Sequence, residues 1–330
     1  MDRIITGVKP TGILHIGNYF GAIKPILEMS EDTNKYETLI FIADYHALNF
    51  IKTKQELKEY SFDLACSYLA CGLDTDKVIF FKQSDIPEVF ELCWILNNVT
   101  PKGLMNRAHA YKALQEQNIA NNLDKDLNIN MGLYNYPILM SADILLYNTK
   151  YVPVGLDQKQ HCEITRDIAG SFNARYGETF VLPDALIDEN VATIVGLDGR
   201  KMSKSYGNTI QLFCDENILK KSISKIVTDS KLPGEPQDVN CPLVQIYSLF
   251  ASKEQGEDFK HRLSLGLGWG DAKKELFKLA NSVLLPMREK YNYYKNNPKV
   301  VEEILNKGAE KARVIAKKQL QKVRRRIGVD

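Results

Sequence analysis

Two short, uninterrupted apolar runs constrain this chain most. Thr38 to Ala43 reads Thr-Leu-Ile-Phe-Ile-Ala, and Lys77 to Lys82 reads Lys-Val-Ile-Phe-Phe-Lys. A strand with one wet face alternates apolar and polar residues. A continuous run requires both faces to be covered, as in a parallel sheet flanked by helices. Between the two runs, Leu57, Ser61, Leu64, Ala65 and Tyr68 fall on one helical face, and Gly72 supplies a stop. Arg3 to Val8 is a further β-prone run that ends before Pro10, and Tyr151 to Val154 is another that ends at Gly155. Strands separated by helices predict βαβ units in a parallel sheet. Such a sheet binds ligands beyond the carboxyl ends of its strands.

The rest of the 330 residues reads differently. Pro87 to Asn97 predicts a helix apolar nearly all round, suited to a core or a subunit interface. Asn190 to Gly207, rich in glycine and charge, reads as a connector. After Gln211 the pattern is helical, broken by a loop at Leu232-Pro233-Gly234-Glu235-Pro236. Leu305, Ala309, Ala312, Ala316, Leu320, Val323 and Ile327 trace the apolar stripe of a last helix. Its other face carries Lys311, Arg313, Lys317, Lys318, Lys322, Arg324, Arg325 and Arg326. The fold expected is α/β: a Rossmann-like parallel-sheet domain over residues 1–190 and a smaller all-helical domain over 211–303. A connector at 191–210 joins them, and the helix at 304–330 packs back on the first domain.

Net charge is only +2, so any nucleic-acid contact must come from a local basic patch. The first residues lack a signal-peptide core, and no apolar stretch is long enough to span a bilayer. Cys66, Cys71, Cys93, Cys162, Cys214 and Cys241 form no C-x-x-C pair. A cytoplasmic protein with reduced, mostly buried thiols is expected.

Two segments carry chemistry. Lys9-Pro10-Thr11-Gly12-Ile13-Leu14-His15-Ile16-Gly17-Asn18 follows the first strand and precedes a helix. Glycines let backbone approach a ligand, a helix N-terminus offers free N–H groups to anions, and His15 and Asn18 add side-chain donors. Gly199-Arg200-Lys201-Met202-Ser203-Lys204-Ser205 sets two lysines in a glycine-flanked, serine-containing loop that suits a movable polyphosphate clamp. Each alone also describes an ordinary surface loop; the pair in this order is far more specific.

Together these segments resemble the two signature motifs of the class I aminoacyl-tRNA synthetases. Tyr136-Pro137-Ile138-Leu139-Met140-Ser141-Ala142-Asp143-Ile144-Leu145 and Val152-Pro153-Val154-Gly155-Leu156-Asp157-Gln158-Lys159-Gln160-His161 resemble the amino-acid pocket of that class's tryptophan branch. The resemblance runs over nearly the whole chain and is weakest from about Gln211 to Lys299. It implies a ligase that joins L-tryptophan to tRNA(Trp) through an adenylate, using ATP and Mg²⁺, as a homodimer.

By the same resemblance, His15, Asn18, Lys201 and Lys204 are the catalytic groups. Lys9, Pro10, Thr11, Gly17, Asn18, Gly155, Leu156, Asp157, Val191, Lys201, Met202, Ser203, Lys204 and Ser205 bind ATP, with Gly155 and Asp157 in a ribose-binding turn. Met140, Val152, Val154 and Ile5 line the indole, Tyr136 and Gln158 hold the substrate ammonium, and His46 flanks the substrate carboxylate and α-phosphate. An indole has one strong donor, its N–H, and Asp143 is the acceptor expected for it. A site built around that bond rejects phenylalanine by roughly 10⁴-fold or more.

The chain departs from the family in three places. The early motif ends in Asn18 rather than histidine, as tryptophan enzymes often do. Ile5 stands where some relatives place an aromatic residue on the indole. Cys241 is alone where some relatives hold an iron–sulfur cluster through four cysteines, so no cluster is expected. A tyrosine enzyme of the same class, and a tryptophan- and ATP-binding sensor that charges no tRNA, are the competing readings. Met140 beside Asp143 disfavours the first, and the basic face of the last helix the second.

Overall fold

The computed structural model describes residues 1–155, 158–187 and 194–330. Strand β1 (Asp2–Val8) leads to a helical stretch made of α1 (Ile16–Asn18), a π-helical turn at Tyr19–Ile23, and α2 (Lys24–Ser30). Then come β2 (Tyr36–Ile42), α3 (Asp44–Ala47), α4 (Lys54–Ala70), β3 (Val78–Lys82), α5 (Glu88–Asn97), α6 (Lys102–Met105), α7 (His109–Ala120) and α8 (Met131–Leu145). Strand β4 (Tyr151–Pro153), α9 (Lys159–Tyr176) and β5 (Asp184–Leu186) complete the sheet and its helices. Helices α10 (Glu216–Ser224), α11 (Pro242–Phe250), α12 (Lys253–Ser264), α13 (Trp269–Asn296) and α14 (Pro298–Ile327) follow.

Among the described residues the sheet has five strands, all parallel, in the order β3-β2-β1-β4-β5. The order reverses between β1 and β4, so a crevice opens beyond their carboxyl ends. The four strands expected from the sequence form, with ends shifted by one or two residues. β5 was not expected: three half-buried residues are too few for a periodic signal.

The continuous apolar runs bury both faces. Ile4, Ile40, Ile42, Val78 and Phe80 belong to one core, which extends without a break into α10–α13. Ile5, Leu39, Phe41, Phe81 and Val152 belong to the other, under α5, α8, α9 and α14. Helix α13 also docks on α4: Lys295 Nζ lies 2.9 Å from Asp63 Oδ1, and the Tyr291 hydroxyl bonds the same carboxylate. Among the described residues no helix is long and apolar enough to cross a membrane. All six cysteines are unpaired; Cys66, Cys162, Cys214 and Cys241 are buried, and Cys71 and Cys93 partly so.

Helix α14 crosses the edge strand β3 and buries its predicted stripe, Leu305 to Val323. Two ion pairs fasten it to α5: Arg313 Nη2 to Glu88 Oε1 at 2.8 Å, and Arg324 Nε to Glu91 Oε1 at 2.6 Å. At the crossing, Gly308 lies so close to the sheet that an added Cβ would stand 1.8 Å from the Phe80 carbonyl oxygen. Covering β3 in this way leaves no open edge there for another chain to pair with. Gly308→Ala is expected to destabilise the protein by about 1–3 kcal/mol, because backbone cannot yield as a side chain can. Thermal unfolding measures this; an unchanged or raised midpoint contradicts the close crossing.

Candidate active site

The early motif leaves β1 through a turn at Gly12, whose φ of +86° favours glycine. Its end is held by chain from far along the sequence. Ile16 N–H donates to the Ile210 carbonyl at 2.9 Å, and Leu212 N–H to the Leu14 carbonyl at 3.0 Å. Asn18 accepts from the His15 backbone N–H through Oδ1 at 3.0 Å, leaving its NH₂ as the group available to an anion. A Cβ on Gly17 would press on the His15 ring at 2.9 Å and approach the Met202 sulfur at 3.3 Å.

The late loop closes over this segment. Met202 is buried and anchors it. Buried Asn208 ties it internally: Oδ1 accepts from Ser203 N–H at 2.8 Å, and Nδ2 donates to Asp198 Oδ1 at 2.7 Å and to the Lys201 carbonyl at 3.1 Å. Lys204 Nζ donates to the Thr11 carbonyl at 2.9 Å. The resulting cleft, about 480 Å³, is lined by Thr11, His15, Gly17, Asn18, Lys201, Met202, Ser203 and Lys204, with Gly21, Ala22 and Ile194.

A second cavity of about 420 Å³ opens at the β1/β4 crevice and shares Thr11 and Ala22 with the first. Ile5, His46, Tyr136, Met140, Asp143, Val152, Val154 and Gln158 all line it. Its walls are mainly apolar, with Asp143 as the buried carboxylate, 2% exposed. Asp143 is not a helix cap. Gln83 Nε2 donates to both its oxygens at 2.9 Å, and His46 Nε2 lies 2.9 Å from Oδ2. Burial raises the Asp143 pKa, and the bonds from His46 and Gln83 oppose that rise. His46 thus spends its ring nitrogen on Asp143.

Not every expected residue falls where its role was assigned. Lys9 lines the second cavity and, with Pro10, a small adjoining cleft of about 200 Å³, rather than the first cleft. Gly155 also faces the second cavity, and Ser205 bonds Ser203 Oγ at 2.8 Å. Leu156, Asp157 and Val191 lie outside the described residues.

Gln83, Asn208 and Phe41 are among the residues here that the sequence does not point to. Gln83 follows directly on β3, at the ligand-binding end of the sheet, and that position was its only signal. Phe41 pairs in register with Gly7, and a Cβ on Gly7 would lie 2.4 Å from its ring, so the missing side chain in β1 lets an aromatic ring from β2 reach the cavity. Among the described residues no group of three or more His, Cys, Asp or Glu is placed to hold a metal ion.

His15 is a neutral imidazole at physiological pH. Burial, with the nearby Lys204 charge adding to it, lowers its pKa from 6.5 to about 4. Between those values the unfolded chain binds a proton there that the folded chain does not, so stability falls as pH drops from about 6.5 toward 4. The loss is at most about 3 kcal/mol. Urea unfolding of parent and His15→Asn across that range checks this: the difference between them should shrink on the acid side, and a constant difference contradicts it.

Residues 2–285 match the family described as tRNA synthetases class I (W and Y). A tryptophan–tRNA ligase of Neisseria meningitidis is 49% identical over 329 residues, spanning 99% of this chain and 98% of that protein. One from Pseudomonas putida is 48% identical, spanning 99% of this chain and 74% of its own length. Tryptophanyl-tRNA synthetase from Campylobacter jejuni, solved with ADP and tryptophan, superposes with a TM-score of 0.89 at 46% identity and covers 99% of both chains. A tyrosyl-tRNA synthetase from Archaeoglobus fulgidus, at 21% identity and a TM-score of 0.64, shares the fold. Matched by that family over most of its length and by relatives at nearly half identity, the chain belongs to the class I tRNA synthetases of the tryptophan and tyrosine type.

Proposed function

We propose that this chain activates L-tryptophan with ATP and transfers it to tRNA(Trp). The observation that carries the reading is the pair of cavities: an apolar one holding a buried carboxylate, joined at Thr11 and Ala22 to a cleft with two lysines. The first fits an indole. Asp143, held by Gln83 and His46, accepts the indole N–H; Met140, Ile5, Val152 and Val154 form the walls, with Phe41 as the aromatic face that Ile5 does not offer. Tyr136 and Gln158 receive the ammonium group. Tyrosine would call for partners to a hydroxyl that both donates and accepts, and Met140 beside Asp143 does not supply one.

The substrate carboxylate then meets ATP where the two cavities join. Its oxygen attacks the α-phosphorus and pyrophosphate leaves. The His15 N–H, the Asn18 amide, Lys201 and Lys204 stabilise charge that grows on the phosphates. Positioning and charge stabilisation suffice, without a covalent enzyme intermediate. Mg²⁺ would enter with ATP and supply charge neutralisation at the phosphates, beside Lys201 and Lys204 of the described cleft lining. The ribose and adenine contacts of Asp157, Leu156 and Val191 belong to the same reading, as does a division into a sheet domain (1–190), connector (191–210) and helical domain (211–303) that contacts tRNA.

On α14, Lys311, Lys317, Lys318 and Arg325 are exposed and make no ion pair among the described residues, and they supply positive charge for tRNA. Two copies associate through α3 and α5, where Trp94 is 71% exposed and the Tyr45 and Phe90 rings lie 4.4 Å apart beside exposed Leu48. The absence of a membrane-crossing helix among the described residues is consistent with work in the cytoplasm.

Lys204→Ala should lower tryptophan-dependent pyrophosphate exchange by about 100-fold while tryptophan affinity changes little. Exchange at the parent rate would sink the mechanism, and parent exchange driven equally by tyrosine or phenylalanine would sink the substrate assignment. Trp94→Asp should convert the dimer into monomers by light scattering; a parent that is already monomeric at working concentration overturns the association.

A further inference from the structure

Tyr136, in α8, and Gln158, at the head of α9, both face the aromatic cavity, and both are bonded to one buried imidazole. His161, 5% exposed, sets Nδ1 3.0 Å from Gln158 Oε1 and Nε2 against the Tyr136 hydroxyl. For a neutral His161 the hydrogen-bond chemistry of these groups assigns the protons. A glutamine carbonyl oxygen accepts and cannot donate, so Nδ1 carries the imidazole proton. A neutral imidazole then has a lone pair on Nε2, and the Tyr136 hydroxyl donates to it. Tyr136 keeps that proton, because burial pushes its pKa up to about 12.

A phenol whose hydrogen is turned back toward His161 shows the cavity only oxygen lone pairs. Gln158 Oε1, a carbonyl oxygen able to accept twice, is likewise oriented by Nδ1. Two acceptors thus converge at one end of an otherwise apolar cavity, as a cationic amine requires. Without an acceptor at Nε2, the phenol hydrogen is free to rotate into the cavity, where it opposes a cation.

We infer that His161 is a positioning residue that makes this cavity selective for the free α-ammonium of its amino acid, by holding Tyr136 and Gln158 as paired acceptors. The inference rests on the proposed amino-acid cavity and adds to it the group that decides between an amino acid and the same molecule without its amine. His161 need not touch the substrate to do so.

The test compares tryptophan with indole-3-propionate, which keeps the indole and carboxylate and lacks the amine, by calorimetric binding to the full-length chain. In His161→Leu, tryptophan should weaken by roughly 10- to 100-fold and indole-3-propionate by less than about twofold, with ATP binding unchanged. His161→Gln keeps a carbonyl able to accept from Tyr136 in a polar, similarly sized side chain, and should retain a larger preference for tryptophan than His161→Leu does. Equal weakening of both ligands, or a glutamine variant no better than leucine, marks a merely structural residue and overturns the inference. A preference kept in full by His161→Leu overturns it alone. A parent chain that binds tryptophan no better than indole-3-propionate overturns it together with the reading of the cavity.

Discussion

Two backbone hydrogen bonds, Ile16 to Ile210 and Leu212 to Leu14, join parts of the chain nearly two hundred residues apart, and the cleft between the two motifs depends on them. The early motif alone is a turn and a helix start, and the late motif alone is a lysine-bearing loop. Pairing of the strand-like pieces beside each motif turns them into facing walls. Met202 then packs near Gly17, and the Lys204 ammonium reaches the Thr11 carbonyl. Partial burial lowers the Lys204 pKa, and the Thr11 carbonyl is the bond that holds its ammonium among the described residues.

The neighbouring cavity solves a different problem. A buried carboxylate in an apolar pocket loses its hydration, and unless it is bonded it takes up a proton and stops being an acceptor. Gln83 and His46 supply those bonds. Gln83 is itself held, because its Oε1 accepts from the Tyr45 N–H at 3.2 Å. Asp44 next to it is tied to Ser84 and to the Tyr45 N–H. The carboxyl ends of β2 and β3 thus form a small polar lattice under the cavity floor. With each carboxylate oxygen able to accept more than once, Asp143 keeps capacity for one donor more.

What could be read from the sequence followed from local pattern. Continuous apolar runs marked β2 and β3, a 3–4 spacing marked α14, and the spacing of glycine, histidine and lysine marked the cleft. What could not be read came from distant packing. β5 is three residues long and holds its place through β4. Asn208 and Gln83 are ordinary amides whose roles exist only once other segments arrive. Phe41 is tertiary as well: its ring lines the cavity from the adjacent strand, through the gap at Gly7. His161 stood in a segment singled out for its neighbours, and its own part appears only when α8 meets α9.

The last helix shows how a correct pattern can carry two meanings. Its basic residues looked like one surface suited to a polyanion. In the fold, Arg313 and Arg324 turn to Glu88 and Glu91, and Lys322 donates to the Thr179 carbonyl at 2.8 Å. These are docking contacts, planar guanidinium against carboxylate, and such geometry favours arginine. The exposed positions that remain are mostly lysines. Arginine is spent where orientation matters, fastening α14 over the edge strand, and lysine where a mobile point charge serves. The division is physical, and charge counting along a helix cannot reveal it, because it depends on which acidic residues the sheet domain brings within reach.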